Sequence, residues 1–301
     1  MIRSAVLAVA DRSVTRGLIT QTSAGKAVAQ RFIAGNTLDE AVAVASTLNE
    51  QGMAASLDHL GEHVTVMDEA ERATESYLEC LEAINAAGLD ANISVKLTQL
   101  GMGLDDEAAV ANLTKLSAAA ARVDTSVTVD MEESQHTATT IDIYEQVQKT
   151  HGNLGIAVQS YLHRTAADLD RIIPLGGHIR LCKGAYAEPA EIAFQSGHDV
   201  DASFDRLAAL LMHSKGVKPA IASHDDARLA PVLEVADHRS EPWEFQMLYG
   251  VRRDRQRELV EAGHDVRVYV PYGSAWYPYF SRRLAERPAN LTFFARALLG
   301  R

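Results

Sequence analysis

Cysteine is nearly absent from this chain, with two residues in 301, Cys80 and Cys182. A disulfide framework is therefore excluded, and each thiol is expected to be a free packing group. Long apolar runs are missing too. No stretch reaches the ~18 consecutive apolar residues that span a bilayer. The run from Ala5 to Ala10 meets Asp11 and Arg12 too soon for a secretory signal. The expected location is the cytoplasm, with surface contact at the inner face of the cell membrane left open. Basic charge is in deficit, since 29 Lys and Arg against 40 Asp and Glu give a formal net charge of −11. No nucleic acid is expected as a partner, because neutralising a phosphate backbone needs a basic face. Low-complexity blocks are also lacking, and with 47% hydrophobic and 23% charged residues the composition is that of an ordinary globular chain.

What the chain does contain is a repeat of eight short apolar segments roughly thirty residues apart. They run from Ala54 to Leu60, Ile93 to Leu97, Val127 to Asp130, Gly155 to Gln159, His178 to Lys183, Pro219 to His224, Trp243 to Leu248 and Val266 to Val270. Near their C-terminal ends stand Asp58, Lys96, Asp130, Gln159, Arg180 with Lys183, Ser223 with His224, Gln246 and Tyr269. Polar groups at one end of many strands are the mark of an eight-stranded α/β barrel of the TIM type, whose site lies at that rim.

Helical patterns separate the segments: Glu69 to Ala87, Asp105 to Ala121, Thr139 to Lys149, Asp199 to Lys215, Ala227 to Ala236 and Arg253 to Ala262. Strand and helix in alternation imply a parallel sheet. Residues 51–301 are read as the (β/α)8 barrel and residues 1–50 as an N-terminal helical arm. The arm carries two helical patterns, Ser23 to Ile33 and Thr37 to Asn49, the second with Thr37 and Glu40 spaced as a capping box. Two more helices, Tyr277 to Arg287 and Ala289 to Leu299, are expected after the eighth strand.

The densest chemistry lies between Tyr269 and Glu286. Tyr279, Arg282, Arg283 and Glu286 stand at helical offsets of zero, three, four and seven and so share one face. Two adjacent guanidiniums suit a bidentate carboxylate, and the same pattern also fits a solvated face with an Arg–Glu pair. Lys96 and Asp130 are charges at strand positions where burial is costly, so each needs a partner, a ligand or the rim; an ion pair between them is one solution. Gly184 follows Arg180 and Lys183 and would let a planar ring or phosphate approach the backbone. Ser223-His224-Asp225-Asp226, or Asp130 with Glu132, offers some metal-ligand chemistry, but no further His or Cys stands at a strengthening spacing, and no metal is expected.

Taken in order, Ile-Ser-Val-Lys-Leu-Thr-Gln-Leu-Gly, Asp130-Met-Glu, Gln159-Ser-Tyr-Leu, Ile-Arg-Leu-Cys-Lys-Gly-Ala-Tyr, Ser-His-Asp, Glu244-Phe-Gln-Met-Leu-Tyr-Gly and the Tyr269 to Glu286 segment form a consistent set. Over ~240 residues the chain resembles the flavin-dependent proline dehydrogenases, and in size the monofunctional bacterial ones. The resemblance implies a distorted (β/α)8 barrel that holds FAD at its rim and oxidises L-proline to Δ1-pyrroline-5-carboxylate.

By the same resemblance Lys96, Arg282 and Arg283 bind the proline carboxylate, while Tyr186, Leu248, Tyr269 and Tyr279 enclose the ring. Asp130, Gln159, Arg180, Lys183, Gly184, Ala185, Ser223, His224 and Glu286 surround the flavin or orient the substrate-binding groups. Flavin adenylate contacts are expected between Ala187 and Ser203. Two positions depart from the family pattern: Cys182 replaces a valine and Ser223 a threonine. Electrons are expected to pass to a membrane quinone, and the product to a separate pyrroline-5-carboxylate dehydrogenase. Two other readings remain, a barrel aldolase using Lys96 as a Schiff base with Asp130 as proton shuttle, and a flavin-binding redox sensor without turnover.

Overall fold

The structure is a computed structural model that describes residues 30–61 and 63–286, with side chains through Ser281. Eight parallel strands close into a barrel in sequence order. They are β1 Ala54–His59, β2 Ala91–Val95, β3 Val127–Val129, β4 Leu154–Gln159, β5 His178–Cys182, β6 Lys218–Ala222, β7 Glu244–Leu248 and β8 Val266–Tyr272. Ala54 to His59 of β1 pairs in register with Arg267 to Tyr272 of β8, which completes the circle. The expected eight strands are all present. Lys96, Asp130, Lys183, Ser223 and His224 stand just past the strands because the chain turns at once into the rim loops.

The helices are α1 Leu38–Glu50, α2 Met67–Ala86, α3 Asp106–Arg122, α4 Thr137–His151, α5 Thr165–Ile172, α6 Gly197–His213, α7 Asp226–Ala236, α8 Arg253–Glu261 and α9 Tyr277–Glu286. The Thr37/Glu40 capping box forms at the start of α1, with Glu40 N donating to Thr37 Oγ1 and Thr37 N to Glu40 Oε2. Its Ala41, Ala45 and Leu48 are buried in the main core with residues of β1 and β8, so α1 closes the helical ring beside the seam. The eight-residue α5 has no side-chain N-cap bond and left no signal in the sequence. Of the helical pattern from Ser23 to Ile33, residues 30–33 form a turn and bend; the rest, like the pattern from Ala289 to Leu299, lies outside the described residues.

Period-two alternation divides each strand between two environments. Ile93, Val95, Val127, Val129, Ile156, Val158, Ile179, Leu181, Phe245, Met247, Val268 and Val270 join the helix residues in one apolar core. The alternate positions face the barrel interior, which is unusually polar, holding Ser94, Thr128, Arg180, Glu244 and Gln246, all less than a tenth exposed. Both cysteines are free, and burial pushes the Cys80 thiol up to about 12, so it is a packing group.

Residues 30–36 run across the rim. Ala34 N donates to Pro271 O at 2.9 Å and Gly273 N to Gly35 O at 3.0 Å. Phe32 and Ile33 pack with Leu60, Tyr277, Tyr279 and Phe280, which seats α9 over the mouth. Gly250, at φ +74°, makes this crossing possible: a Cβ there would stand 1.7 Å from the Arg31 carbonyl oxygen. Gly250→Ala should therefore cost well over ~1 kcal/mol, since both space and backbone angle are wrong for a side chain. Chemical denaturation checks it; unchanged stability would contradict the crossing.

Candidate active site

At the C-terminal rim the strands open into a cavity of about 690 Å³. This is within the ~300–1,000 Å³ typical of small-molecule sites. Every expected site residue whose side chain is described lines it: Lys96, Asp130, Gln159, Arg180, Lys183, Gly184, Ala185, Tyr186, Ser223, His224, Leu248, Tyr269 and Tyr279. Arg282, Arg283 and Glu286 belong to α9, with side chains outside the described residues. None of residues 187–203 lines the cavity.

Asp130 is the hub. Its Oδ1 accepts from Ser94 Oγ at 2.6 Å and from Arg180 Nη1, and its Oδ2 accepts from Tyr269 Oη at 2.8 Å. Lys96 Nζ lies 3.5 Å from Asp130 but 3.3 Å from both oxygens of Asp58. The strand-end pair foreseen between Lys96 and Asp130 is thus a triad whose third member, Asp58, is fully buried. Burial opposes ionising Asp130, yet Arg180, then Lys96, then the hydrogen bonds of Ser94 and Tyr269 outweigh it and hold the carboxyl below its ordinary range. Burial likewise opposes the Lys96 charge, and Asp58 and Asp130 more than reverse it, keeping the ammonium protonated. Burial and the two carboxylates push the Tyr269 phenol well up, so it remains a donor.

Below the hub the polar interior continues as a chain of bonds. Arg180 Nε donates to Gln246 Oε1, Gln246 Nε2 donates to Glu244 Oε1 at 2.7 Å, and Glu244 takes Lys218 Nζ at 2.6 Å and Arg267 Nε at 2.9 Å. The Arg180 guanidinium also lies 5.2 Å from the centre of the Tyr269 ring. Its Nη2 is buried with no hydrogen-bond partner among the described residues. Ser94 and Glu244 were not singled out in the sequence, although Ser94 shares a strand face with Lys96, and Glu244 shares one with Gln246.

The remaining lining residues are fixed by local bonds. Gln159 Nε2 donates to Glu132 O at 3.0 Å, while its Oε1 accepts from Ala185 N at 3.3 Å. His224 Nε2 accepts from Leu248 N at 2.9 Å, which places the ring proton of a neutral imidazole on Nδ1. Ser223 Oγ accepts from Asp225 N at 3.1 Å. Lys183 reaches Asp225 at 3.0 Å and also Asp201, so two carboxylates compensate its charge. Gly184, at φ +127°, lines the cavity and also has a reason within the protein: a Cβ there would meet the Tyr161 ring at 2.3 Å.

A family model described as proline dehydrogenase matches residues 41–296. The chain belongs to the proline dehydrogenase family. It is 40% identical over 274 residues to proline dehydrogenase 1 of Bacillus subtilis, covering 90% of each chain. With the proline dehydrogenase of Deinococcus radiodurans it shares 35% identity over 308 residues, 99% of this chain and 98% of that one. Its fold matches the crystal structure of proline utilization A from Bdellovibrio bacteriovorus inactivated by N-propargylglycine, with a TM-score of 0.84 at 23% identity. The match covers 98% of this chain but 37% of that longer one. This chain is accordingly an oxidoreductase of proline metabolism built on a TIM-type barrel.

The support beneath the hub gives a prediction. Burial opposes the Glu244 charge, but Arg267 and Lys218, with hydrogen bonds from Lys218 and Gln246, bring the carboxyl down to about 2. A carboxyl depressed on folding contributes stability that is present above its ordinary pKa of ~4.3 and lost as pH falls toward the folded value. Glu244→Gln should destabilise the fold at neutral pH by ~3–5 kcal/mol, the usual cost of stranding a buried partner. It should also flatten the loss of stability between pH ~4.5 and 2. Urea unfolding across that range reads both; equal slopes in the two proteins would contradict the pairing.

Proposed function

We propose that this chain oxidises L-proline to Δ1-pyrroline-5-carboxylate, with FAD in the rim cavity as hydride acceptor. One observation carries the reading: all the residues with described side chains that the family resemblance assigns to substrate and flavin line a single cavity. The buried Arg180 Nη2, a cationic donor at the cavity wall without a partner among the described residues, suits a ring system rich in acceptors. When bound, FAD supplies the two-electron acceptance that no side chain provides.

The chain's own residues supply binding, orientation and exclusion of water. Arg282 and Arg283 hold the proline carboxylate with Lys96, whose charge Asp58 and Asp130 already share, so the arginines carry most of the attraction. Tyr186, Leu248, Tyr269 and Tyr279 wall the ring and keep it dry at near-attack distance. Tyr269 is held by its bond to Asp130. Arg180 would face a bound flavin with its unpaired Nη2 and supply positive charge there, a part for which the doubly compensated Lys183 is less suited. Gln159, Gly184, Ala185, Ser223 and His224 border the flavin, and Glu286 orients its neighbours.

A membrane quinone at the inner face of the cell membrane would be the electron acceptor in this reading. No helix among the described residues is long and apolar enough to cross it. The product ring opens by hydrolysis to an aldehyde, which an aldehyde-oxidising enzyme such as a separate pyrroline-5-carboxylate dehydrogenase would consume. The Schiff-base reading loses support because Lys96, clamped by two carboxylates, lacks the neutral amine that reaction needs.

The test is the visible spectrum of the purified protein before and after anaerobic L-proline. A flavin spectrum bleached by proline is expected; a colourless protein, or a flavin that proline leaves oxidised, would overturn the reading. Arg282→Met and Arg283→Met should keep the flavin and raise KM roughly ten- to a hundredfold, the effect of losing a charged hydrogen bond worth ~1.5–3 kcal/mol. Unchanged KM in both would return that helix face to solvent.

A further inference from the structure

Outside the cavity lining, the described residues gather one group with the chemistry of a transition-metal site: His63 from the loop after β1, with Glu133 and His136 from the loop after β3. One donor atom from each lies within 4.8 Å of the others. His63 Nε2 stands 3.5 Å from Glu133 Oε1. The Glu133 side chain is about one-third exposed, but its second oxygen, Oε2, is shielded from water and has no hydrogen-bond partner among the described residues. A simple His–Glu ion pair accounts for Oε1; it gives no reason for the buried Oε2 or for His136 on the third side.

We propose that His63, Glu133 and His136 bind a zinc-class divalent ion, with water completing the coordination. Two imidazoles and a carboxylate are a fitting set for a borderline cation and a poor one for the all-oxygen shells of calcium or magnesium. Ligands at 2.0–2.1 Å from a tetrahedral centre stand about 3.3 Å apart. The three donor atoms, within 4.8 Å of one another, would have to draw together to reach that spacing around an ion. The neighbouring Gln135 amide, 3.2 Å from His136 Nε2, yields to the ion or leaves it Nδ1.

The ion fastens two rim loops to each other. His63, at φ +54°, donates its backbone N–H to Thr98 Oγ1 at 3.2 Å, and Thr98 N donates to the buried Glu132 Oε1 at 3.1 Å. Occupancy therefore fixes the loop after β1 against the segment that follows Asp130, beside the cavity without entering it. The sequence hid the site because its ligands come from two loops seventy residues apart, joined only when the barrel closes.

Full-length protein stripped with a chelator and titrated with Zn2+ against a chromogenic competitor tests the site. Wild type should take up one ion at micromolar protein, and its thermal midpoint should rise with Zn2+. His63→Ala, His136→Ala and Glu133→Gln, each shown folded by circular dichroism, should bind at least about tenfold more weakly and lose the thermal shift. A wild type that binds no zinc, or variants that bind as tightly as wild type, would overturn the site. Neither result depends on flavin or proline.

Discussion

Everything at the rim rests on one buried carboxylate. Asp130 sits where β3 ends, and four groups from three other strands converge on it: Ser94 and Lys96 from β2, Arg180 from β5 and Tyr269 from β8. A charge taken out of water is tolerable only when paired and hydrogen-bonded on all sides, so this carboxylate dictates how its partners lie. Lys96 in turn requires Asp58, and Arg180 requires Gln246, which requires Glu244 with its two cations. The barrel interior is one connected polar lattice from the lower end to the catalytic rim. Apolar packing is displaced outward, between sheet and helices. Such a lattice is rigid when satisfied and costly when broken, which suits a site whose task is to hold a substrate in place.

α9 lies over the mouth and places Tyr279 on the cavity wall, and the strip from Arg31 to Gly35 packs on its first turn through Phe32 and Ile33. That strip is bound to the end of β8 by backbone hydrogen bonds. Residues before the first strand thereby help to seat α9, whose Tyr279 lines the cavity. The helix that follows the strip, α1, also completes the ring around β1 and β8.

The strands were legible because each apolar segment ends in a polar residue with no reason to sit in a core, and the rim position of those residues followed from the barrel alone. Helices with capping residues or long apolar stripes, such as α1 and α2, were legible too, whereas the short, uncapped α5 was not. Pairings across the interior could not be read. Asp58 with Lys96, Arg180 with Gln246, and His63 with Glu133 are fixed by strand register and closure, which bring together residues tens of positions apart. Gly184 shows the same limit: its presence was legible, but the Tyr161 ring packed against it was not. The helix that carries Arg282 and Arg283 was legible from spacing, whereas the ligand proposed for them rests on the resemblance alone.

The dependence of the lattice on Asp130 is measured most directly by a double-mutant cycle in urea unfolding, using Asp130→Asn, Arg180→Met and the double variant. Each single change leaves a buried partner unbalanced and should cost ~3–5 kcal/mol. The double variant should cost less than their sum, with a coupling of at least ~1–3 kcal/mol, as for residues in one network. Costs that add to within ~0.5 kcal/mol would show two independent sites and contradict the account.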